Sequence, residues 1–80
     1  MEDRARELIE YVARALVDEP DAVEVHVVEA DRATMYELSV EQRDLGKVIG
    51  RDGRTARALR TLLASMGTRD GKRAILDILD

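Results

Sequence analysis

The eighty-residue sequence contains no cysteine, no phenylalanine and no tryptophan, and only one proline and one histidine. Without cysteine there are no disulfide staples, thiolate nucleophiles or thiolate metal sites. A lone His26 leaves no His pair to assemble a metal set, and no H-E-x-x-H string occurs; no cofactor is expected. Tyr11 and Tyr36 are the entire aromatic complement, too few for a platform on which successive bases stack. No apolar run approaches the roughly 18 residues of a membrane span. The opening Met1-Glu2-Asp3 is acidic, unlike a secretory leader. The expectation is a cytoplasmic chain with no membrane span, folded as one domain over residues 1–80. A chain of this size buries roughly 60–65% of the surface its unfolded form exposes, enough for one sheet with helices on one face.

Charge is abundant, at 38% of residues, and unevenly placed around a net of −4. Residues 1–46 carry five basic and thirteen acidic side chains. Residues 47–60 reverse the sign: Lys47, Arg51, Arg54, Arg57 and Arg60 stand against Asp52 alone. Clustered rather than total charge marks a polyanion-binding surface. This basic stretch surrounds Gly50-Arg51-Asp52-Gly53, a G-x-x-G bend between two apolar-periodic runs. Leu45, Val48 and Ile49 precede it at i, i+3, i+4. Ala56, Leu59, Leu62, Leu63 and Met66 follow at i, i+3, i+6, i+7, i+10. The glycines therefore punctuate a helix–turn–helix. Gly50 is expected to stop the first helix in the left-handed conformation. Gly53 is expected to let a ligand backbone approach the second, whose first N–H groups and dipole suit a phosphate.

In chain order, Ala5, Leu8, Ile9, Val12 and Leu16 predict a helix over 3–18, with a Glu10–Arg14 pair on its surface and Asp18-Glu19-Pro20 as its stop. Val23, Val25 and Val27 alternate with Glu24 and His26, which predicts a strand over 22–29 with His26 away from the core. Tyr36, Leu38 and Val40 predict a partner strand over 34–40, antiparallel across a short connection. Helices follow over 42–49 and 54–66, the second capped by Gly67. Gly71 serves a loop over 68–72. A last strand over 73–79 has Ala74, Leu76 and Ile78 on one face. The order α-β-β-α-α-β requires the third strand to cross over and run parallel to a neighbour. The expected fold class is α+β: a mixed three-stranded sheet, order 1-2-3, with three helices on one face.

The string Val48-Ile49-Gly50-x-x-Gly53-Arg54, continuing through Ala56, Arg57 and Leu59 to Arg60, resembles the heart of a KH (K-homology) RNA-binding domain. The resemblance covers nearly the whole chain and is closest to the small bacterial single-domain KH proteins. It implies the type II KH fold, with a nucleic-acid groove between the helices flanking the GXXG loop and the third strand. A GXXG loop clamps about four nucleotides of single-stranded RNA. Carried onto this sequence, the RNA-binding residues are Lys47, Val48, Ile49, Gly50, Arg51, Asp52, Gly53, Arg54 and Arg57. Ala56, Leu76 and Ile78 are further candidates for an apolar floor. Asp52 departs from the basic or neutral loop residues common in the family, and it opposes phosphate if it points inward. The resemblance also implies a homodimer, a heteromer with a second KH protein of the KhpB/Jag type, RNA-chaperone or post-transcriptional roles, and a link to cell elongation or division.

A protein-interaction module is the alternative, on the strength of the acidic first half and Asp52. An enzyme is not expected. Gly46-x-x-x-Gly50 is followed by Arg51 rather than the G-K-(S/T) of a P-loop. A G-x-G-x-x-G after a strand is also missing, since Ile49 is no glycine and a helix precedes it.

Overall fold

The computed structural model describes residues 3–68 and 70–80. Met1 and Glu2 of the acidic start, and Arg69 of the 68–72 loop, lie outside them. The first helix, α1 (Arg4–Leu16), starts where the Asp3 carboxylate accepts the Arg6 N–H at 3.1 Å, a side-chain cap for an otherwise orphan donor. It ends two residues before the expected stop. Val17 swings to extended geometry and buries its side chain, while its N–H still reaches the Ala13 carbonyl. Pro20 instead opens a separate 3-10 turn, Pro20–Ala22. The buried face of α1 is Ala5, Ile9 and Ala13; Leu8 and Val12 are half-covered and Leu16 is exposed. The stripe is thus rotated from the expected one, with Ala13 buried in place of Leu16. Glu10 pairs with Arg6 at 3.3 Å rather than with the expected Arg14.

Two strands follow, β1 (Glu24–Glu29) and β2 (Ala33–Ser39), antiparallel with Val25 opposite Leu38 and Val27 opposite Tyr36. The last strand, β3 (Arg73–Ile78), lies parallel to β2 with Leu76 beside Tyr36, giving the expected order β1-β2-β3. Every second residue of β2 is buried, the signature of a sheet covered on one face. Tyr36, in the central strand, is almost wholly buried, and its hydroxyl donates to the Asp3 carboxylate at 2.9 and 3.0 Å. Burial, then that hydrogen bond, holds its pKa far above the ordinary 10.0. One pair of groups thus caps α1 and fastens it to the sheet. Val27, expected in the core, is 36% exposed. His26 is exposed, as its alternation predicts.

Between β2 and β3 come a 3-10 turn (Gln42–Asp44), the short helix α2 (Leu45–Ile49) and α3 (Arg54–Met66). The single helix expected over 42–49 is therefore two elements, with Asp44 fully buried where they join. Gly67 ends α3 at φ 68°, its N–H on the Leu63 carbonyl at 2.9 Å. The core draws Ala5, Ile9, Ala13, Tyr36, Leu38, Val48, Leu59, Leu63 and Leu76 into one cluster. Leu62 and Met66, expected in the apolar stripe of α3, are 50% and 43% exposed.

Candidate nucleic-acid interface

In the bend joining α2 to α3, Gly50 ends α2 and Gly53 stays open, as expected, but the left-handed helical conformation falls on Gly53 rather than Gly50. Gly50 has φ 78° and ψ 171°, an extended conformation with positive φ rather than the left-handed helical one. A Cβ there would lie 2.7 Å from Thr55 Cβ and 2.9 Å from Thr55 N. Gly50 is glycine because the loop folds flat against the start of α3. Gly53 is the residue in the left-handed helical region, φ 75° and ψ 13°. A Cβ on it would meet only the Arg57 guanidinium, at 3.5 Å. Asp52, between them, also has positive φ, 56°, a conformation that a short polar side chain tolerates better than most. The Gly53 N–H closes the bend on the Gly50 carbonyl at 3.1 Å.

The first turn of α3 carries no side-chain cap, so Asp52 does not occupy its donors. Arg51, Asp52, Arg54 and Arg57 are exposed, and Ile49 is half-buried beside them. Arg57 reaches back over Gly53, and Arg51 and Arg54 are exposed on the bend itself. The other expected site residues are placed differently. Val48 is 3% exposed and belongs to the core cluster beneath the loop. Ala56 is likewise buried. Lys47 is committed elsewhere: its ammonium donates to Asp18 at 2.9 Å and to Asp44 at 3.0 Å.

Asp44 is the polar centre of this region. One carboxylate oxygen accepts the N–H groups of Asp18 and Glu19 at 3.2 and 3.1 Å, and the other accepts from Lys47. Burial, the largest single influence, favours its neutral form. The hydrogen bonds from Lys47 and the two backbone amides together outweigh it and hold the carboxyl below its usual 3.8. Hydrogen bonds to Asp18 and Asp44 raise Lys47 above its usual 10.5. No local sequence signal distinguishes Asp44 from the exposed acids around it.

A groove of about 390 Å³ runs between α3 and β3, lined by Arg60, Ala64, Arg73, Ala74, Ile75 and Leu76. Arg60 crosses it, donating from Nε to the Leu76 carbonyl at 3.3 Å. Arg54, Arg57 and Arg60 share one side of α3 by their i, i+3, i+6 spacing, a signal that could have added Arg60 to the expected site. Arg73 arrives from the distant last strand and had none.

A glycine-bounded bend between two helices, set between parallel strands and opening onto a helix–strand groove, defines a KH domain of the α-β-β-α-α-β arrangement. The chain belongs to the KhpA/KhpB KH domain family, whose profile matches residues 6–78. It is 49% identical over 74 residues to the RNA-binding protein KhpA of Borreliella burgdorferi, covering 92% of this chain and 90% of that one. It is 45% identical to the RNA-binding protein KhpA of Aquifex aeolicus, over 94% of this chain and 95% of the relative. A third, the RNA-binding protein KhpA of Caldanaerobacter subterraneus subsp. tengcongensis, is also 45% identical, over 91% and 97%.

Proposed function

We propose that this chain binds single-stranded RNA, seating the sugar-phosphate backbone on the Gly50–Gly53 bend and the bases along the α3–β3 groove. The observation that carries the reading is the uncapped start of α3 ringed by exposed Arg51, Arg54 and Arg57. Helix-start N–H groups without a side-chain cap, beside exposed arginines, suit a phosphate oxygen better than any other common ligand group. The names of the relatives support it. Bound RNA is held, not transformed, so the activity is binding rather than catalysis. Among the described residues no helix is long and apolar enough to cross a membrane, and the cytoplasm, where RNA is met, is the proposed compartment.

The test is Arg51→Asp, read by fluorescence anisotropy with short unstructured RNAs. The side chain is exposed, so the melting temperature should move by no more than a few degrees, the usual range for surface substitutions. Affinity should fall at least tenfold; RNA retained at wild-type strength in that variant would remove the loop as the grip.

A second reading concerns partners. Tyr11, Leu16, Leu62 and Met66 of the helix layer are large, apolar and 39–74% exposed. Leu62 and Met66 share one face of α3 at i, i+4 spacing, and exposed apolar surface of this kind favours pairing with another chain. A homodimer, or a heteromer with a second KH protein of the KhpB/Jag type, would cover it and join two weak RNA grips into one stronger one.

A further inference from the structure

We infer that Asp44 is a positioning residue for the RNA grip: it fastens α2, and with it the Gly50–Gly53 bend, to the chain leaving α1. The inference rests on the RNA-binding reading above and concerns what holds its site in place.

α2 cannot hold itself. It is five residues long and contains Gly46, far short of the dozen or so residues at which an isolated helix becomes marginal, and glycine is a poor helix former. Its one fully buried apolar side chain is Val48. Yet the bend it carries is closely packed, because Gly50 lies flat against Thr55 with no room for a single methyl group. Something outside the helix has to set its place.

Asp44 stands at the N-cap position of α2 but makes no capping bond to its own helix. Its oxygens reach the backbone N–H groups of Asp18 and Glu19, 26 and 25 residues away in sequence. Lys47, one turn on, bridges Asp44 and Asp18. Arg43 adds a bond to the Glu19 carboxylate at 2.7 Å. Among the described residues, the side-chain ties from the α2 region to other elements therefore run to the same two-residue corner, where the chain has just left α1. Gly50 follows Asp44 by less than two helical turns, so a slip at Asp44 is delivered directly to the bend.

The inference separates from plain electrostatics by sign. Asp44→Asn keeps an oxygen for the two backbone donors but sets an amide N–H against the Lys47 ammonium. It also removes a negative charge near the site, which by charge alone strengthens RNA binding. Positioning predicts the reverse, a loss of about tenfold in affinity. Asp44→Asn with Lys47→Gln restores the wild-type net charge and a complementary hydrogen-bonding pair. That double variant should bind within about threefold of wild type.

In the free protein, amide exchange at Gly50 and Gly53 should quicken in Asp44→Asn while Leu59 and Leu63 of α3 stay protected. RNA affinity unchanged or improved in folded Asp44→Asn would overturn the inference. So would an equal rise in exchange at all four amides, since that reports a general loss of stability. If Asp44→Asn does not fold, Asp18→Asn carries the same test, because Asp18 is an exposed partner of Lys47. A loss of about threefold in RNA affinity supports the inference, and unchanged or tighter binding sinks it. Should the wild-type chain bind no RNA at all, the proposed function fails, while the exchange measurement still decides whether Asp44 holds the bend.

Discussion

A methyl group added at position 50 meets a different fate from one added at position 53. At Gly50 it would strike Thr55 and also require a positive φ. At Gly53 the φ strain remains, but the nearest atom is the flexible end of Arg57. Gly50→Ala should therefore destabilise by roughly 2–4 kcal/mol, strain and overpacking together. Gly53→Ala should cost about 1 kcal/mol, the penalty of a left-handed residue. Urea denaturation of the two variants checks the order; equal losses would mean the bend does not rest on Thr55. Asp44 and Lys47 carry the pH dependence at this scale. The Asp44 pKa is lowered in the fold, so its contribution is complete above the unfolded value of 3.8 and is lost as pH falls through the folded one. The Lys47 pKa is raised, so its contribution is complete below 10.5 and is lost as pH rises through the folded value. Urea titrations between pH 7 and pH 2 should show a steeper acid loss in wild type than in Asp44→Asn. The sequence marked Gly50 as the stop of the first helix and Gly53 as the open position, but not that Gly50 is extended and walled by Thr55, because that depends on where Thr55 lands. Asp44 was not legible at all, since its partners come from a corner 25 residues upstream.

Periodicity serves well for elements that are long and one-sided. The bounds of α3 are those its apolar spacing predicts, and Gly67 ends it as expected. The same spacing overstates the buried face: an ideal stripe includes Leu62 and Met66, but the sheet below is three strands wide and covers only Ala56, Leu59 and Leu63. This difference is testable. Leu63→Ala empties a fully buried site and should cost about 2–5 kcal/mol. Leu62→Lys with Met66→Lys should cost less than about 1 kcal/mol in total, as surface changes do. If the exposed pair is the partner surface, the double lysine variant should also run as a monomer in sedimentation at concentrations where wild type associates. α2 marks the limit of periodicity. A helix held by side chains of other elements leaves only a faint pattern of its own, and its 3-10 lead-in was read as one helix with it.

For the whole molecule, charge is divided between two jobs. The first 46 residues are strongly acidic, and the stretch from Lys47 to Arg60 is basic. With Lys47 spent on Asp18 and Asp44, three or four guanidinium groups remain to meet phosphates. On a single strand that number gives a slope of log affinity against log salt of about −2 to −3. A potassium chloride series by anisotropy checks it; a slope near zero would mean the arginines are not on the backbone of the RNA. In the proposed reading, the acidic first 46 residues disfavour nucleic acid elsewhere and leave the bend and its groove as the basic surface.

By itself the sequence determined the element order, the one-faced sheet with its parallel third strand, and the GXXG bend with its arginines. Those follow from short-range periodicity, the chirality of crossovers and the chemistry of glycine, all of which act within a few residues. Only the tertiary structure decided that Lys47 pairs with Asp18 and Asp44, that Val48 lies in the core, that Arg60 and Arg73 line one groove, and that a buried Asp44 bonds the chain leaving α1. Those outcomes depend on which distant backbone groups arrive beside each side chain, and packing alone sets that.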